Sequence, residues 1–378
     1  MPDTTRTPFK VIDHPEQLDI ALREMPGSDA IALDTESNSL HRYPEQLCLI
    51  QVATLQKIYI IDTITLRAIT PIKEIFEDGS VIKVIHGADY DVRSLDRYGG
   101  LRIHNLYDTY IAARFAGVSK FGLADLLRDL LGVDIPKSKD LQHADWGRRP
   151  LSHDALEYAA ADVRHLLALK QVLDQRLCAL GRMDWVLEEC SRIENVRYAP
   201  LNLETAYLSI KGAQHLDGRA LAVLKDLFLF RESEAQRQHR PPFFIIPDVA
   251  LIYLSNNPSA NLNEVPGLGQ SVERIGPGVR QALLEGQGAE PVERPHVAYE
   301  SLNPGQRRLL SCLKVWRESL GQSLCLDPSL LWPTPSLERL AKAPGLFAAE
   351  LNSSNIRAWQ RLQFAASLES YLQTQIKK

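Results

Sequence analysis

The fold can be predicted outward from one stretch of the chain, Ala30-Ile-Ala-Leu-Asp-Thr-Glu-Ser37. Its apolar start predicts a buried β-strand that ends at Asp34. Side chains two positions apart on a strand point to the same face, so Asp34 and Glu36 should project together near the carboxyl end of that strand. Open α/β sheets usually bind ligands at this edge. The pair is therefore a candidate site, although a solvated strand end would have the same pattern.

Apolar, β-branched stretches on the carboxyl side of this segment predict three more strands. The second and third follow in quick succession and should form an antiparallel meander with the first, whereas the fourth follows a helix and is expected to pair in parallel. Helical patterns then dominate. The fold class predicted for this half is α/β with a mixed sheet, with strands at Leu47–Ala53, Lys57–Asp62 and Val81–His86 and helices around Tyr90–Tyr98, Asp108–Ala116, Gly122–Leu131 and Ser152–Leu180.

The chain beyond Gly212 is predicted to be entirely helical and to contain an internal repeat. Leu221–Ser233 resembles Leu310–Ser319, and two further pairs of segments match in the same order, at an offset of about 80 residues. A Gly-, Gln-, Glu- and Pro-rich segment separates the copies. The sequence therefore predicts two helical units of one type, with the further matches at Pro247–Leu251 and Asp327–Leu331 and at Leu262–Leu268 and Leu340–Leu346.

Composition and charge limit the functional class of the protein. The chain of 378 residues carries a net charge of −4, but residues 1–195 hold 23 Lys and Arg against 30 Asp and Glu, while residues 196–378 hold 20 against 17. An acidic half suits divalent cations and a mildly basic half suits phosphates.

Five scattered cysteines without a CxxC pair argue against disulfides and structural zinc. Met1–Lys10 does not resemble a signal peptide, and no apolar run spans a membrane, so a cytoplasmic protein is expected.

Two further acidic motifs should approach the same edge of the sheet. The fourth strand continues into His86-Gly-Ala-Asp-Tyr-Asp91, which brings Asp89 and Asp91 to a helix start, where either could instead cap the helix. In the later helix, for which Ser152 is the predicted N-cap, Tyr158 and Asp162 are four residues apart and share one face. The three alanines between them permit close packing. Each motif alone is weak evidence for a site.

Taken together and in this order, the motifs resemble the tyrosine-containing branch of the DEDD 3′→5′ exonuclease superfamily, and specifically the ribonuclease D family. The stretches Phe121–Leu127, Leu141–Trp146 and Arg149–Leu151 also fit that family, apart from Ala144, where relatives often have serine. The helical repeats resemble HRDC domains. The resemblance implies a ribonuclease H-like mixed-sheet exonuclease domain with a helical linker at residues 1–210, an HRDC domain at 213–290 and an HRDC-like domain at 296–378.

The resemblance also assigns roles to residues. It implies that two divalent metal ions, Mg²⁺ or Mn²⁺, are bound by Asp34, Glu36, Asp91 and Asp162, with Asp91 favoured over Asp89. Tyr158 corresponds to the tyrosine that orients the attacking water. Secondary expectations are that Ser37 contacts the terminal ribose and Leu40 wedges against the terminal base. Four residues could reach phosphates or be structural, namely His86, Lys137, Arg148 and Arg149.

The implied function is a 3′→5′ exoribonuclease that releases nucleoside 5′-monophosphates from tRNA precursors and other small structured RNAs, as a monomer. Two alternatives remain open at this stage. The first is a 3′→5′ DNA exonuclease using the same site, which would not depend on the terminal 2′-hydroxyl that only RNA supplies. The second is a catalytically silent nucleic-acid-binding protein acting through its helical repeats. A Ca²⁺-binding structural domain is disfavoured because EF-hand spacing is absent from the sequence.

Overall fold

The structure is a computed structural model that describes residues 7–25, 27–66, 68–135, 138–293 and 301–376. A six-stranded mixed sheet lies at its centre, with the strand order β1-β4-β3-β2-β5-β6. Strands β2, β3 and β4 form an antiparallel meander, while β1, β5 and β6 pair in parallel with their neighbours. The strands are β1 (Phe9–Ile12), β2 (Ala30–Ser37), β3 (Leu47–Ala53), β4 (Ile58–Asp62), β5 (Ile82–Ile85) and β6 (Leu106–Asp108).

The predicted meander and the parallel fourth strand are confirmed, but two strands were not predicted. Strands β1 and β6 are only four and three residues long, too short for a clear alternation of apolar residues. The predicted end of β2 was also wrong. This strand continues to Ser37 because Thr35 pairs with Ile50 and Glu36 with Leu49 on β3. Asp34 and Glu36 therefore lie within a paired strand, which holds their backbone more firmly than a free strand end would.

Ten α-helices accompany the sheet in the described part of residues 7–200. The predicted helix Ser152–Leu180 is in fact two helices, because the backbone of His165 leaves the helical region, with φ −111° and ψ 0°. Ser152 caps the first of them as predicted, accepting the backbone N–H of Ala155 at 3.2 Å. The helices are α1 (Pro15–Glu24), α2 (Thr63–Leu66), α3 (Lys73–Phe76), α4 (Asp89–Gly99), α5 (Thr109–Phe115), α6 (Leu123–Leu131), α7 (Lys139–Gln142), α8 (His153–Arg164), α9 (Leu166–Leu180) and α10 (Met183–Glu194).

The remainder of the described chain is helical, and the internal repeat is present in the structure. Each copy begins with a helix of 21 residues, followed by a four-residue turn of helix, a nine-residue helix and a long closing helix, and the second copy has one further short helix before the last. The domain boundaries given above remain a prediction. The first copy contains α11 (Gly218–Gln238), α12 (Pro242–Ile245), α13 (Asp248–Asn256) and α14 (Val272–Gly288), and the second contains α15 (Pro304–Leu324), α16 (Pro328–Leu331), α17 (Thr334–Lys342), α18 (Phe347–Leu351) and α19 (Ala358–Ile376).

The two helical copies pack differently against the sheet-containing part. The first copy has a hydrophobic core of its own. The core of the second copy is continuous with that of the α/β part. Trp359 on α19 stacks on Trp185 of α10, with ring centroids 4.8 Å apart, and meets the edge of Phe115 at 5.3 Å. The second copy is therefore part of the fold that supports the sheet. In the described residues, no helix is both long and apolar enough to cross a membrane.

Candidate active site

Three carboxylates from two elements meet on one face of the sheet. Asp34 and Glu36 come from β2, and Asp162 comes from α8, which packs across β2, β3 and β4. One oxygen of each lies within 4.8 Å of the others. Close packing is possible because the residues of α8 around this position are mostly small, with Ala159 and Ala160 both fully buried. The alternation within a strand and the spacing along a helix thus bring together residues more than a hundred positions apart.

The first turn of α4 holds the two candidates of the second motif, and the structure places them differently. Asp91 is buried, with 6% of its surface exposed, and its Oδ1 accepts a hydrogen bond of 2.6 Å from the hydroxyl of Thr35. The side chain of Asp89 is 56% exposed and forms an ion pair with Arg93 at 2.9 Å. Thr35 lies between Asp34 and Glu36 in sequence. The structure therefore ties Asp91, and not Asp89, to the strand that carries the cluster.

Burial and mutual repulsion make the cluster electrostatically unfavourable in the absence of a cation. Burial, followed by the charges of Asp91, Asp162 and Glu36, raises the pKa of Asp34 well above its ordinary value. Burial, followed by the charges of Asp162 and Asp91, raises the pKa of Glu36 to about 9. Burial also raises the pKa of Asp91 to about 7, although the Thr35 hydrogen bond acts in the opposite direction, and that of Asp162 to about 7. A divalent cation would relieve this repulsion by replacing protons.

One acidic residue that positions this site was not predicted from the sequence. Asp108, buried at the end of β6, accepts the backbone N–H groups of Gly87 and Ala88 at 2.9 Å each. It also caps α5 by accepting the N–H of Tyr110 at 2.8 Å. It therefore fixes the turn from which α4 and Asp91 begin. The sequence does contain an Asp-Thr pair just before a helical pattern, which predicts a helix N-cap. It gives no indication that the same carboxylate also binds the backbone of the turn before α4.

Tyr158 lies one helical turn before Asp162, beside the buried ring of Trp146, with centroids 6.1 Å apart. Burial and the charges of Asp162 and Glu36 raise the pKa of its phenol above the ordinary value. The hydroxyl therefore stays protonated at neutral pH and can donate a hydrogen bond toward the carboxylate side. The sequence predicted this proximity to Asp162 correctly from the four-residue spacing.

The residues assigned to substrate contacts have mixed environments. Ser37 hydrogen-bonds the hydroxyl of Tyr90 at 2.5 Å at the exposed rim of the site, a neighbour that the sequence did not indicate. Leu40 is 42% exposed, as a wedge residue must be. The ring of His86 is held by the hydroxyl of Thr109 at 2.9 Å, and burial lowers its pKa, so it is neutral at pH 7.

The predicted phosphate-contacting cations differ in availability. Arg148 is exposed. Arg149 instead forms an ion pair with Asp62, with N–O distances of 2.6 and 2.8 Å, and also donates to the carbonyl oxygens of Trp146 and Cys48. It therefore joins the loop before α8 to the sheet, and its role here is structural. Lys137 lies outside the described residues.

The donor set fits a hard divalent cation. Its ligands are carboxylate oxygens, which Mg²⁺ and Mn²⁺ prefer, and three of them converge. Because Mg²⁺ binds in octahedral geometry, waters would complete its coordination. Their raised pKa values show that the folded chain brings negative charges together at a cost. Such an arrangement is typical of functional sites, since a packing interaction alone would not favour it.

Comparisons with known proteins identify the fold and the family of the chain. A family described as a 3′–5′ exonuclease matches residues 9–178, which include β1–β6 and all five predicted site residues. The crystal structure of Escherichia coli RNase D superposes with a TM-score of 0.73 over 97% of this chain and 99% of its own, at 24% identity. A protein from Bifidobacterium adolescentis gives 0.81 over 97% of each chain, at 22% identity. These structures confirm the fold, which together with the matched family defines the chain as a 3′→5′ exonuclease.

Sequence similarity is more specific about the family. Ribonuclease D of Granulibacter bethesdensis is 30% identical over 88% of this chain and 84% of its own length. Ribonuclease D of Xanthomonas oryzae is 32% identical over 67% of this chain and 69% of its own. The chain therefore belongs to the ribonuclease D family and is a 3′→5′ exoribonuclease. The family predicted from the motifs is confirmed, and the helical carboxyl-terminal half is consistent with the predicted pair of HRDC domains.

Proposed function

We propose that the protein trims the 3′ ends of small structured RNAs, tRNA precursors among them, by two-metal-ion hydrolysis that releases nucleoside 5′-monophosphates. The observation that carries the mechanism is the convergence of Asp34, Glu36 and Asp162 within 4.8 Å. Asp91, held by Thr35, completes the proposed ligand set. Two divalent ions at such a site activate water and stabilise the leaving oxygen. Mg²⁺ and Mn²⁺ are the proposed ions.

In this proposal Tyr158 orients the attacking water and does not remove its proton. A phenol with a raised pKa is a weak base at neutral pH, whereas its O–H group is an effective hydrogen-bond donor or acceptor. Its place one turn from Asp162 puts it at the edge of the carboxylates. Ser37 and Leu40, at the exposed rim of the same strand and the following loop, are proposed to contact the terminal ribose and base. Tyr90 shares the hydrogen bond of Ser37 and belongs to that rim.

The choice of RNA is proposed to depend on the helical copies. Residues 196–378 carry more basic than acidic groups, which suits a role in holding phosphates. E. coli RNase D, to which the chain is similar, is described as an exoribonuclease involved in structured RNA processing. The proposal includes domain boundaries at 1–210, 213–290 and 296–378, a monomer in solution and a cytoplasmic location.

The test is digestion of a 5′-end-labelled, single-stranded RNA, with EDTA or with added Mg²⁺ or Mn²⁺, resolved at nucleotide level. We expect a ladder shortened from the 3′ end, nucleoside 5′-monophosphates as products, and no reaction in EDTA. Asp34→Asn should be inactive under all conditions. Digestion that persists in EDTA, or an Asp34→Asn rate within about tenfold of wild type, would refute the metal assignment, because loss of a transition-state charge contact costs more than this.

The same assay with a DNA oligonucleotide of identical sequence tests the competing exonuclease activity. If contact with the terminal 2′-hydroxyl contributes to positioning, RNA should be degraded faster than DNA. Equal rates on both polymers would favour a general nuclease. A tRNA precursor with an extended 3′ tail, compared with the free tail alone, then tests the proposed preference for structured substrates.

A further inference from the structure

A buried glutamine next to the carboxylates has no hydrogen-bond partner for its side chain in the described part of the structure. Gln51 lies in the middle of β3, and its surface exposure is 0%. Neither its side-chain nitrogen nor its side-chain oxygen has a hydrogen-bond partner among the described residues. A buried amide without partners destabilises a folded protein, because both polar atoms have lost their water. Leucine or methionine at this position would fill the same space without that cost.

The register of the sheet places this amide beside Asp34. The two residues are direct partners in the antiparallel pair β2–β3, so their side chains lie on the same face, with Cβ atoms about 4.5–5.5 Å apart. On the other side of Gln51, the partner on β4 is the apolar Ile60. The polar neighbour available across the strands is therefore Asp34.

The surroundings on this face leave few other partners for the amide. The diagonal neighbours on β4 are Ile58 and Asp62, and Asp62 is already bound by Arg149. The helix that covers the three strands, α8, buries apolar side chains at Ala155, Ala159, Ala160 and Val163. Among the described residues of β2, the polar side chains nearest to Gln51 by register are those of Asp34, directly opposite, and Glu36, on the diagonal.

From this geometry we infer that Gln51 is a positioning residue. Its amide has no partner among the described residues of the metal-free structure, and when a cation binds, its amide nitrogen donates a hydrogen bond to the Asp34 carboxylate and holds it in its ligating orientation. The inference rests on the proposed function. An outer hydrogen bond of this type orients a ligand in an occupied metal site and strengthens its binding of the metal. A neutral amide suits this role, because a further carboxylate would add to the repulsion and a lysine would compete with the cation.

Gln51→Met separates this role from a packing role, since methionine has similar length and no polar atom. Binding of Mn²⁺ alone, measured by calorimetry without RNA, should weaken about 10–100-fold, the effect typical of losing such a partner. The metal-free protein in EDTA should melt about 2–4 °C higher, because the unpaired amide has been removed. This combination of a more stable protein and a weaker metal site is not expected from damage to packing.

The matched control is Leu49→Met, on the same strand and the same face, equally buried and paired with Glu36. It should leave Mn²⁺ affinity unchanged and should not raise the melting temperature. Gln51→Asn is a second variant, in which the amide is retained but withdrawn by one methylene. It should weaken Mn²⁺ binding without stabilising the metal-free protein.

Unchanged Mn²⁺ affinity in Gln51→Met would overturn the inference, and so would a lower melting temperature of this variant in EDTA, which would reveal a structural partner for the amide. Titration of Asp34→Asn with Mn²⁺ distinguishes a failure of the inference about Gln51 from a failure of the proposed metal site. If Asp34→Asn loses Mn²⁺ binding while Gln51→Met does not, only the inference about Gln51 fails. If Asp34→Asn binds Mn²⁺ like wild type, the metal site itself is assigned wrongly.

Discussion

Replacing Asp34 by asparagine should stabilise the metal-free protein while it abolishes hydrolysis. Burial and three neighbouring carboxylates raise the pKa of Asp34 well above its ordinary value. In the folded protein the group therefore holds its proton over a pH range in which the unfolded chain has already released it. Stability contributed by such a group is present at low pH and is lost as the pH rises from the unfolded pKa, near 4, towards the raised folded value. Asparagine does not titrate, so it removes this loss.

The size of the effect follows from linkage. Each pH unit between the unfolded and folded pKa values costs about 1.4 kcal/mol of unfolding free energy for one group. Between pH 5 and pH 8 the advantage of Asp34→Asn over wild type should therefore grow by at most about 4 kcal/mol. The growth will be smaller if Glu36, Asp91 and Asp162 share their protons with Asp34, because coupled groups titrate together.

The assay is urea unfolding of wild type and Asp34→Asn in EDTA at pH 5, 6.5 and 8, with the unfolding free energies compared at each pH. Asp89→Asn is the matched control, since Asp89 is exposed on the surface of α4 and should show no such trend. Millimolar Mn²⁺ should stabilise wild type at pH 8 by binding the folded state and should leave Asp34→Asn unaffected. A difference between wild type and Asp34→Asn that does not change with pH would refute the proposed carboxylate repulsion.

Three further predictions test other parts of the structure. Tyr158→Phe should lower the rate of hydrolysis by about ten- to a thousandfold, as loss of one oriented hydrogen bond does. Its Mn²⁺ affinity, measured by calorimetry, should be nearly unchanged, and a large loss of affinity would indicate that Tyr158 is a metal ligand. Asp91→Asn should abolish RNA degradation and Asp89→Asn should not. Equal activities of the two variants would refute the assignment of Asp91 as the metal ligand of this motif. Trp359→Ala should lower the unfolding free energy measured in urea by about 3–5 kcal/mol, because the ring of Trp359 is buried against Trp185. A loss below about 1 kcal/mol, roughly what an exposed site gives, would show that the second helical copy does not support the α/β part.

The packing of Trp359 changes what is expected of a chain shortened to its α/β part. The absence of a carboxylate cluster in the helical repeats suggested that a chain ending near Ile210 would still shorten an oligonucleotide, unless the repeats cover apolar surface. The structure supports the second possibility, because Trp359 and Phe364 pack on Trp185. Removing the second copy would expose this surface, so a shortened chain is expected to aggregate. Substitutions on the surface of the intact chain are the better test of RNA binding.

The sequence was informative wherever a local pattern fixes geometry. Alternation along a strand places Asp34 and Glu36 together, and the four-residue spacing places Tyr158 beside Asp162. The two helical copies could be predicted because their sequences resemble each other. Local pattern alone could not separate Asp89 from Asp91, because both lie in the first turn of α4, and only the family resemblance favoured Asp91. The structure supports that choice through the burial of Asp91 and its contact with Thr35, more than fifty residues away.

Other features depend entirely on which elements meet. Asp108 is a second anchor for the turn before α4 because β6 pairs with β5, and β6 is too short to predict. Gln51 became notable only through its register with Asp34 and the absence of a partner in the described structure. Local patterns determine which side of an element is apolar or acidic, since they depend on bond geometry within a few residues. The partners of that side are decided by the packing of the whole chain, which no local pattern contains.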